Sequence, residues 1–137
     1  QALRRYVEDT LVVQDPFELF VAQNLALDGL LYPLIYTHFV DEHLALRGGT
    51  GVAMLTAFMP EWHDESARWI DAVVKVACAE SEANRGLIGD WYARYVERAQ
   101  AALAPVAELA LGAHGAAALS AVREALDARA AKAGCRP

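Results

Sequence analysis

The stretch DPFELFVAQNLALDGLLYPLIYTHFV, residues 15–40, decides the fold of this chain. Asp15 has the short acceptor side chain of a helix N-cap, and Pro16 suits the first helical position, where no backbone N–H is needed. The next clear break is the run GGTG at 48–51. We therefore expect one long helix over 16–47.

The middle of this helix is apolar on nearly every side. Its large apolar residues cannot share a single stripe, and a helix that is apolar all round must be covered all round. One small bundle covers one face, so we expect the other face to contact another chain, or a part of the subunit outside this sequence. The residues predicted at this subunit interface are Leu27, Leu30, Leu31, Leu34, Ile35 and Phe39.

The remainder of the chain also has helical periodicity. Only TLVVQ, residues 10–14, resembles a strand, and it runs directly into the helix start at Asp15. Within the third helix, residues in alternating steps of four and three form one apolar seam: Leu55, Met59, Trp62, Ser66, Trp69, Val73 and Val76. Long helices with short connectors predict a single all-α domain, a helical bundle. The predicted helices cover about 2–11, 16–47, 52–80, 84–111 and 116–133.

Length and charge limit the possible functions. A chain of 137 residues, 55% of them apolar, is long enough for one globular core. Its net charge of −6 argues against nucleic-acid binding, because neutralising phosphates needs clustered Lys and Arg. Residues 24–40 are the most apolar stretch, but Asp28, Pro33 and His38 interrupt it. The stretch is also shorter than the roughly 20 residues of a bilayer crossing, so we expect no membrane span.

The two cysteines, Cys78 and Cys135, are far apart in the sequence. Cys78 lies in an apolar helical run and Cys135 in the tail, so we expect a buried thiol and a terminal thiol rather than a disulfide. No signal peptide is visible. These features favour a reducing, cytoplasmic setting. Because helical pattern begins at Gln1 without an initiator Met, we expect a piece of a longer subunit.

The segment HDESARW, residues 63–69, holds the side chains that most resemble a metal site. Bundle enzymes that use two iron or manganese ions need a Glu-x-x-His motif on each of two helices, because that spacing points both ligands at one ion. The residues three positions before the four histidines are Ile35, Val40, Pro60 and Leu111, so this motif is absent. We predict no catalytic, cofactor-binding or metal-binding residue in this chain.

The charges of this segment have a simpler interpretation. Arg68 can pair with Asp64 and Glu65, and Asp71 with Lys75, which indicates a solvated helix face. The alternative is that Glu65 and Arg68 are buried as a polar network in the core.

Two polar residues interrupt the apolar second helix, and three tryptophans follow it. Asn24 and Asp28 are one turn apart, and we expect a buried polar pair with a hydrogen bond to another helix rather than a metal ligand. Trp62, Trp69 and Trp91 are predicted mostly as core residues, with contact to a partner as the alternative.

Three ordered stretches of apolar and aromatic residues resemble a known family. They are DPFELFVAQNLALDGLLYPLIYTHF (15–39), LTAFMPEWHDESARWIDAVVKVACAES (55–81) and NRGLIGDWYARYVERAQAALAPVAELAL (84–111). They are similar to the beta subunit of the hydroxylase in bacterial multicomponent monooxygenases, in particular the phenol hydroxylase and toluene monooxygenase branch. Family members are longer, so this chain would match the C-terminal helical part of one. Residues 113–137 match the family less clearly.

The resemblance implies a ferritin-like helical subunit without iron of its own. It would pack against an alpha subunit whose carboxylate-bridged diiron centre hydroxylates an aromatic ring with O2. A gamma subunit, an effector protein and an NADH-dependent reductase with FAD and a 2Fe–2S cluster would complete the system, with an alpha2-beta2-gamma2 hydroxylase. Where an alpha subunit has Glu-x-x-His, this chain has Glu65-Ser66-Ala67-Arg68, so an arginine takes the ligand position.

Three hypotheses for the function remain open. In the first, the chain is a structural subunit, and Leu31→Asp or Ile35→Asp abolishes co-purification with an alpha partner while preserving much of the helicity. In the second, it binds a metal through an irregular set, namely Glu61, Glu65, His63 and Asp28. In the third, it is a generic helical interaction module that is stable and soluble alone.

Overall fold

Helices form all of the regular structure described by this computed structural model, which covers residues 1–135. The all-α bundle is therefore confirmed, and TLVVQ is the end of the first helix and the connector that follows it. The bounds lie within two residues of those predicted, except that the predicted 52–80 helix divides at Ala57. The helices are α1 (Ala2–Thr10), α2 (Pro16–Arg47), α3 (Thr50–Thr56), α4 (Phe58–Glu80), α5 (Glu82–Leu111) and α6 (Gly115–Ala133).

The start of α2 has the predicted cap. The Asp15 side chain accepts hydrogen bonds from the backbone N–H groups of Phe17, at 2.8 Å, and Glu18, at 3.1 Å. Pro16 occupies the first helical position. Such a cap contributes about 1 kcal/mol, because it satisfies N–H groups that have no partner within the helix.

Two parts of α2 are wound more widely than an α-helix. Val21–Leu27 and Pro33–Leu44 are π-helical segments. Pro33 has no N–H, and its ring crowds the carbonyl one turn earlier, which accounts for the change of winding at this residue. In the first π-helical segment the Ala22 carbonyl accepts a hydrogen bond of 2.7 Å from the Tyr6 hydroxyl, which attaches α1 to α2.

Helix α2 is the central helix of the bundle: it packs against α4, α5 and α6 and is joined to α1 by hydrogen bonds. Both Pro16–Arg47 and Glu82–Ala133 are long and apolar enough to cross a membrane by length and composition. In α2, however, many of the apolar side chains are buried against other helices of the chain, as in the core helix of a bundle. The residues of α2 with no exposed surface are Val21, Ala22, Leu25, Ala26 and Leu30.

The central position of α2 corrects the predicted subunit interface. Leu27, Leu30 and Leu34 are buried in the core of this chain, because helices cover α2 on several sides. The other three predicted residues, Leu31, Ile35 and Phe39, are half-buried and retain some outward surface. They remain interface candidates on α2.

Close helix approach and polar contacts hold α5 and α6 together. Ser81 caps α5 by accepting a hydrogen bond of 3.0 Å from the Asn84 N–H. The Tyr92 hydroxyl of α5 donates to Asp127 of α6 at 2.6 Å. At the start of α6, a Cβ added to Gly115 would lie only 2.4 Å from a backbone carbonyl oxygen of α5, so glycine is required there by space.

Candidate subunit interface

Helix α4 has two apolar faces, and the predicted seam is the outer one. The face buried against the bundle consists of His63, Ala67, Ile70, Val74 and Cys78. These residues are each offset by one or two positions from the seam, a rotation of about 100° per residue around the helix. The prediction that Trp62 and Trp69 of this seam are core residues is therefore wrong, because they are 50% and 60% exposed. The smaller residues face inward, which lets α4 pack closely on its neighbours.

Five large apolar residues of the seam side are exposed. We call them the apolar stripe: Leu55, Phe58, Trp62, Trp69 and Val76, with 78%, 63%, 50%, 60% and 72% of their surface exposed. The stripe runs from Leu55 on α3 to Val76 near the end of α4, and its part on α4 is about 27 Å long. A row of large exposed apolar side chains along one side of a helix marks a surface that another protein segment covers. Phe58 was not among the predicted seam residues, although it lies one turn before Trp62.

Aromatic residues of α2 hold the two tryptophans of the stripe in place. The Trp69 ring meets Phe20 edge to face, with centroids 5.6 Å apart. The Trp62 ring lies 5.4 Å from the ring of Tyr32. One side of each indole is thereby fixed against the bundle and the other faces solvent. Rigid, half-exposed tryptophans of this kind lose little conformational entropy on binding, which suits an interface anchor.

The charged side chains beside the stripe lie on the surface. Glu65 and Arg68 are exposed, so the alternative of a buried polar network is not found, and the ion pairs among residues 1–135 do not join Arg68 to Asp64 or Glu65. Asp71 instead receives two hydrogen bonds, of 2.9 and 3.1 Å, from Arg129 of α6. The prediction that Asp71 pairs with Lys75 was therefore wrong. Helix α6 instead places the guanidinium of Arg129 beside Asp71, where it donates two hydrogen bonds to the carboxylate.

Asn24 and Asp28 are half-buried in α2. Within the part of the chain that the structure describes, neither side chain makes the predicted hydrogen bond to another helix. Burial raises the pKa of Asp28 to about 6. The carboxylate lies close enough to Tyr6 and Tyr32 to help raise the pKa of both phenols, after the larger effect of their own burial.

His63 is a core histidine. Only 8% of its surface is exposed, and its ring stacks on the ring of Tyr32 with centroids 5.2 Å apart and planes 5° from parallel. Burial, with a smaller contribution from Arg129, lowers its pKa. The imidazole is therefore held in its neutral form at neutral pH, as a packing group between α4 and α2.

The residues do not fit a metal pair. Residues 1–135 contain no group of three or more His, Cys, Asp or Glu side chains placed to hold a metal ion. The irregular set proposed from the sequence is dispersed: Glu61 and Glu65 are exposed, His63 is buried and Asp28 is half-buried. Each glutamate is two positions from His63 along α4, which places it on the side of the helix opposite this buried residue.

Comparison with known proteins identifies relatives of this chain. A model of the family described as Methane/Phenol/Alkene Hydroxylase matches residues 1–81. The chain is 51% identical over 136 residues to the phenol 2-monooxygenase oxygenase component DmpL of Pseudomonas sp. (strain CF600), covering 99% of this chain and 40% of that protein. It is 37% identical over 137 residues to the phenol 2-monooxygenase oxygenase component MhpL of Acinetobacter pittii (strain PHEA-2), covering 100% of this chain and 40% of that protein.

A solved structure has the same fold. The crystal structure of xenon-pressurised phenol hydroxylase from Pseudomonas sp. OX1 superimposes with a TM-score of 0.88 and 43% sequence identity, over 97% of this chain and 39% of that one. The chain thus spans about two fifths of the length of the relatives it matches. The family match covers more than half of the 137 residues, so this chain belongs to the Methane/Phenol/Alkene Hydroxylase family.

Proposed function

We propose that this chain is the non-catalytic structural (beta) subunit of a diiron aromatic-ring monooxygenase, which hydroxylates phenol or toluene with O2 and NADH. Its relatives are named as oxygenase components of phenol 2-monooxygenase. The iron centre would lie in the alpha subunit and would supply the oxygen chemistry. The single observation that carries the structural role is the apolar stripe, in a chain whose described residues offer no cluster of metal ligands.

The stripe is the surface that we propose packs against the alpha subunit. Obligate interfaces between subunits are large and apolar, with aromatic anchors near their centre. Trp62 and Trp69 lie in the middle of the stripe, with Leu55 and Val76 at its ends. Covering these side chains would bind α4 to the partner along most of its length. The fixed bundle behind them would then hold the iron-bearing helices of the partner in place.

The complete system would contain further components. We propose a gamma subunit, an effector protein and a reductase with FAD and a 2Fe–2S cluster, with two alpha-beta-gamma protomers in the hydroxylase. A cytoplasmic location is part of the same proposal. It is supported by the burial of apolar residues of α2, such as Leu25 and Leu30, in the bundle.

Co-purification with the alpha subunit tests the proposal. The partner to use is an alpha subunit that carries the Glu-x-x-His motif, with an affinity tag. The double variant Leu55→Glu, Val76→Glu removes two apolar side chains worth about 1.5–3 kcal/mol each when buried, so we expect binding to weaken at least ~100-fold. Both residues are 70–80% exposed, so helicity by circular dichroism should stay unchanged.

Leu109→Glu is the matched control. Leu109 is 89% exposed on α5 and lies outside the stripe, so the same change of side chain should leave co-purification intact. These variants test the interface more specifically than Leu31→Asp or Ile35→Asp. Leu31 and Ile35 are half-buried on α2, so a charge there would also lower the stability of the chain itself. Full binding and full monooxygenase activity with the double variant would contradict the proposed interface.

A generic interaction module is the second candidate, because the apolar stripe alone would suit it equally well. The two candidates differ in how the chain behaves without a partner. The interaction module would remain a soluble monomer, whereas the beta subunit should aggregate until the alpha subunit is co-expressed. Stoichiometric iron or manganese in the purified chain would instead favour the metal-binding hypothesis.

A further inference from the structure

Folding brings the two cysteines of the chain together. Cys78, in the last turns of α4, and Cys135, just after α6, are 57 residues apart in sequence, yet their Sγ atoms lie 3.9 Å apart. Both thiols are free, and only 2% of the surface of Cys78 and 1% of the surface of Cys135 is exposed. The predicted terminal thiol is therefore a buried one, because the end of α6 turns back onto α4.

The turn that places Cys135 depends on a glycine. Gly134 has a φ of +97°, in the left-handed region that favours glycine. The Cys135 N–H donates to the Ala130 carbonyl at 2.9 Å, which closes the end of α6 and directs the thiol towards α4. A Cβ added to Gly134 would lie 3.2 Å from the Cβ of Cys78. Any side chain at this position would therefore disturb the cysteine pair directly.

We propose that Cys78 and Cys135 are a site of reversible oxidation, at which a peroxide converts the two thiols into an intramolecular disulfide that joins α6 to α4. A thiolate attacks the peroxide O–O bond, becomes a sulfenic acid and releases water once the leaving oxygen is protonated. The second thiolate then attacks the sulfenic sulfur, forms the S–S bond and releases a second water. The peroxide gains the two electrons that the thiols lose.

The geometry requires only a local adjustment. The two sulfur atoms must approach from 3.9 Å to about 2.05 Å, which rotation of the two side chains and a small shift at the end of α6 can provide. Cys135 can make this shift, since it follows α6 and is not part of a helix. The disulfide would close a long loop, so it would restrict the unfolded chain.

A cavity gives a small oxidant access to the pair. It has a volume of about 420 Å³ and is bordered by Cys135, Tyr92, Glu97 and Arg123. We expect Cys135 to react first, because it lines this cavity and Cys78 lies behind it. Burial raises the pKa of both thiols, that of Cys135 to about 12, so the reactive thiolates are scarce at neutral pH. The pair should stay reduced until peroxide is sustained.

Peptide mapping under non-reducing conditions tests the assignment. The full chain, in the complex in which it is purified, is treated with hydrogen peroxide at pH 7 and at pH 9. We expect a peptide containing Cys78 linked to one containing Cys135, reversal by dithiothreitol, and a rate that rises roughly tenfold per pH unit as the thiolate fraction rises. Cys78→Ser and Cys135→Ser should each abolish the link.

Gly134→Ala tests the geometry while keeping both thiols. It strains the left-handed turn and crowds Cys78, so we expect the disulfide to form at least several-fold more slowly. Gly86→Ala is the matched control, because a Cβ there meets no atom within 4 Å, and it should not change the rate. Links between two separate chains, no link under conditions that oxidise glutathione, or an unchanged rate in Gly134→Ala would each overturn the proposal.

Discussion

Asp28 is a carboxylate that folding partly removes from water, and no ion pair within residues 1–135 stabilises its charge. Burial raises its pKa to about 6, whereas the ordinary value is 3.8. A carboxyl group with a raised pKa in the folded state binds its proton more tightly there than in the unfolded chain. The folded state therefore loses stability as the pH rises from about 4 to about 6, and above that range the full cost of the buried charge is present.

We predict that Asp28→Asn stabilises the chain at pH 7. The shift of about two pKa units sets an upper bound near 3 kcal/mol, which partial exposure reduces to ~1–2 kcal/mol. The gain should disappear below about pH 4, where the wild-type carboxyl is protonated in both states. Urea unfolding followed by circular dichroism at pH 4, 5.5 and 7 measures it. Asp64→Asn, at an exposed position of α4, serves as the control. A gain independent of pH would contradict this interpretation.

The ion pair between Asp71 and Arg129 leads to a second prediction. Both side chains are about 70% buried, and two hydrogen bonds join them across α4 and α6. Arg129→Met should lower the free energy of unfolding by ~1 kcal/mol, because it leaves a half-buried carboxylate without its partner. Lys75→Met, at an exposed position, should have almost no effect. Equal losses in the two variants would show that Asp71 pairs with Lys75 in solution.

At the scale of the element, the packing of α6 on α5 depends on a residue without a side chain. Gly115 has ordinary helical dihedral angles, so its role is spatial: a Cβ would lie 2.4 Å from the Ala107 carbonyl oxygen. Backbone atoms cannot rotate away as the tip of a long side chain can. The start of α6 must therefore move if any side chain is added.

We predict opposite effects for two glycine-to-alanine changes. Gly115→Ala should destabilise the chain by ~2 kcal/mol or more, since the clash with α5 outweighs the better helix propensity of alanine. Gly86→Ala, in the open first turns of α5, should stabilise it by about 0.5–1 kcal/mol. Thermal unfolding of both variants measures the difference. A stabilising Gly115→Ala would mean that the two helices are farther apart than in this structure.

Helical periodicity predicts the buried face correctly on α5 but not on α4. On α5, the residues buried in the core recur at helical spacing, as an amphipathic helix requires, and include Ile88, Tyr95, Ala99 and Leu103. On α4, the spacing predicted one apolar seam, but the buried face is the adjacent one. Periodicity alone does not say which of two apolar faces turns inward; on α4 the inward face carries the small Ala67, whereas Trp69 stays 60% exposed. The predicted seam residues instead form most of the apolar stripe.

At the scale of the whole molecule, the apolar stripe should control association. We predict that the isolated chain self-associates through it and that the double variant Leu55→Glu, Val76→Glu remains monomeric at higher concentration. Analytical ultracentrifugation over a concentration series measures this, with Leu109→Glu as the control. If the double variant and the control associate equally, exposed apolar surface elsewhere drives the association.

Local chemistry determines the helices of this chain and their ends. The Asp15 side chain and Pro16 start α2, and the Gly48–Gly49 break ends it, because caps and backbone freedom act within one turn. The absence of a Glu-x-x-His motif is also a local property, and the family resemblance rests on ordered runs of residues. For this reason the all-α bundle and the family were correctly predicted from the sequence.

Contacts between distant residues were decided only by the tertiary structure. The arrangement of the helices placed Leu30 and Leu34 in the core, paired Asp71 with Arg129 and brought Cys78 next to Cys135. Each of these depends on the rotation of a helix about its own axis and on which neighbour covers it. That rotation is set by the sum of many packing contacts along the bundle, so no short stretch of sequence specifies it.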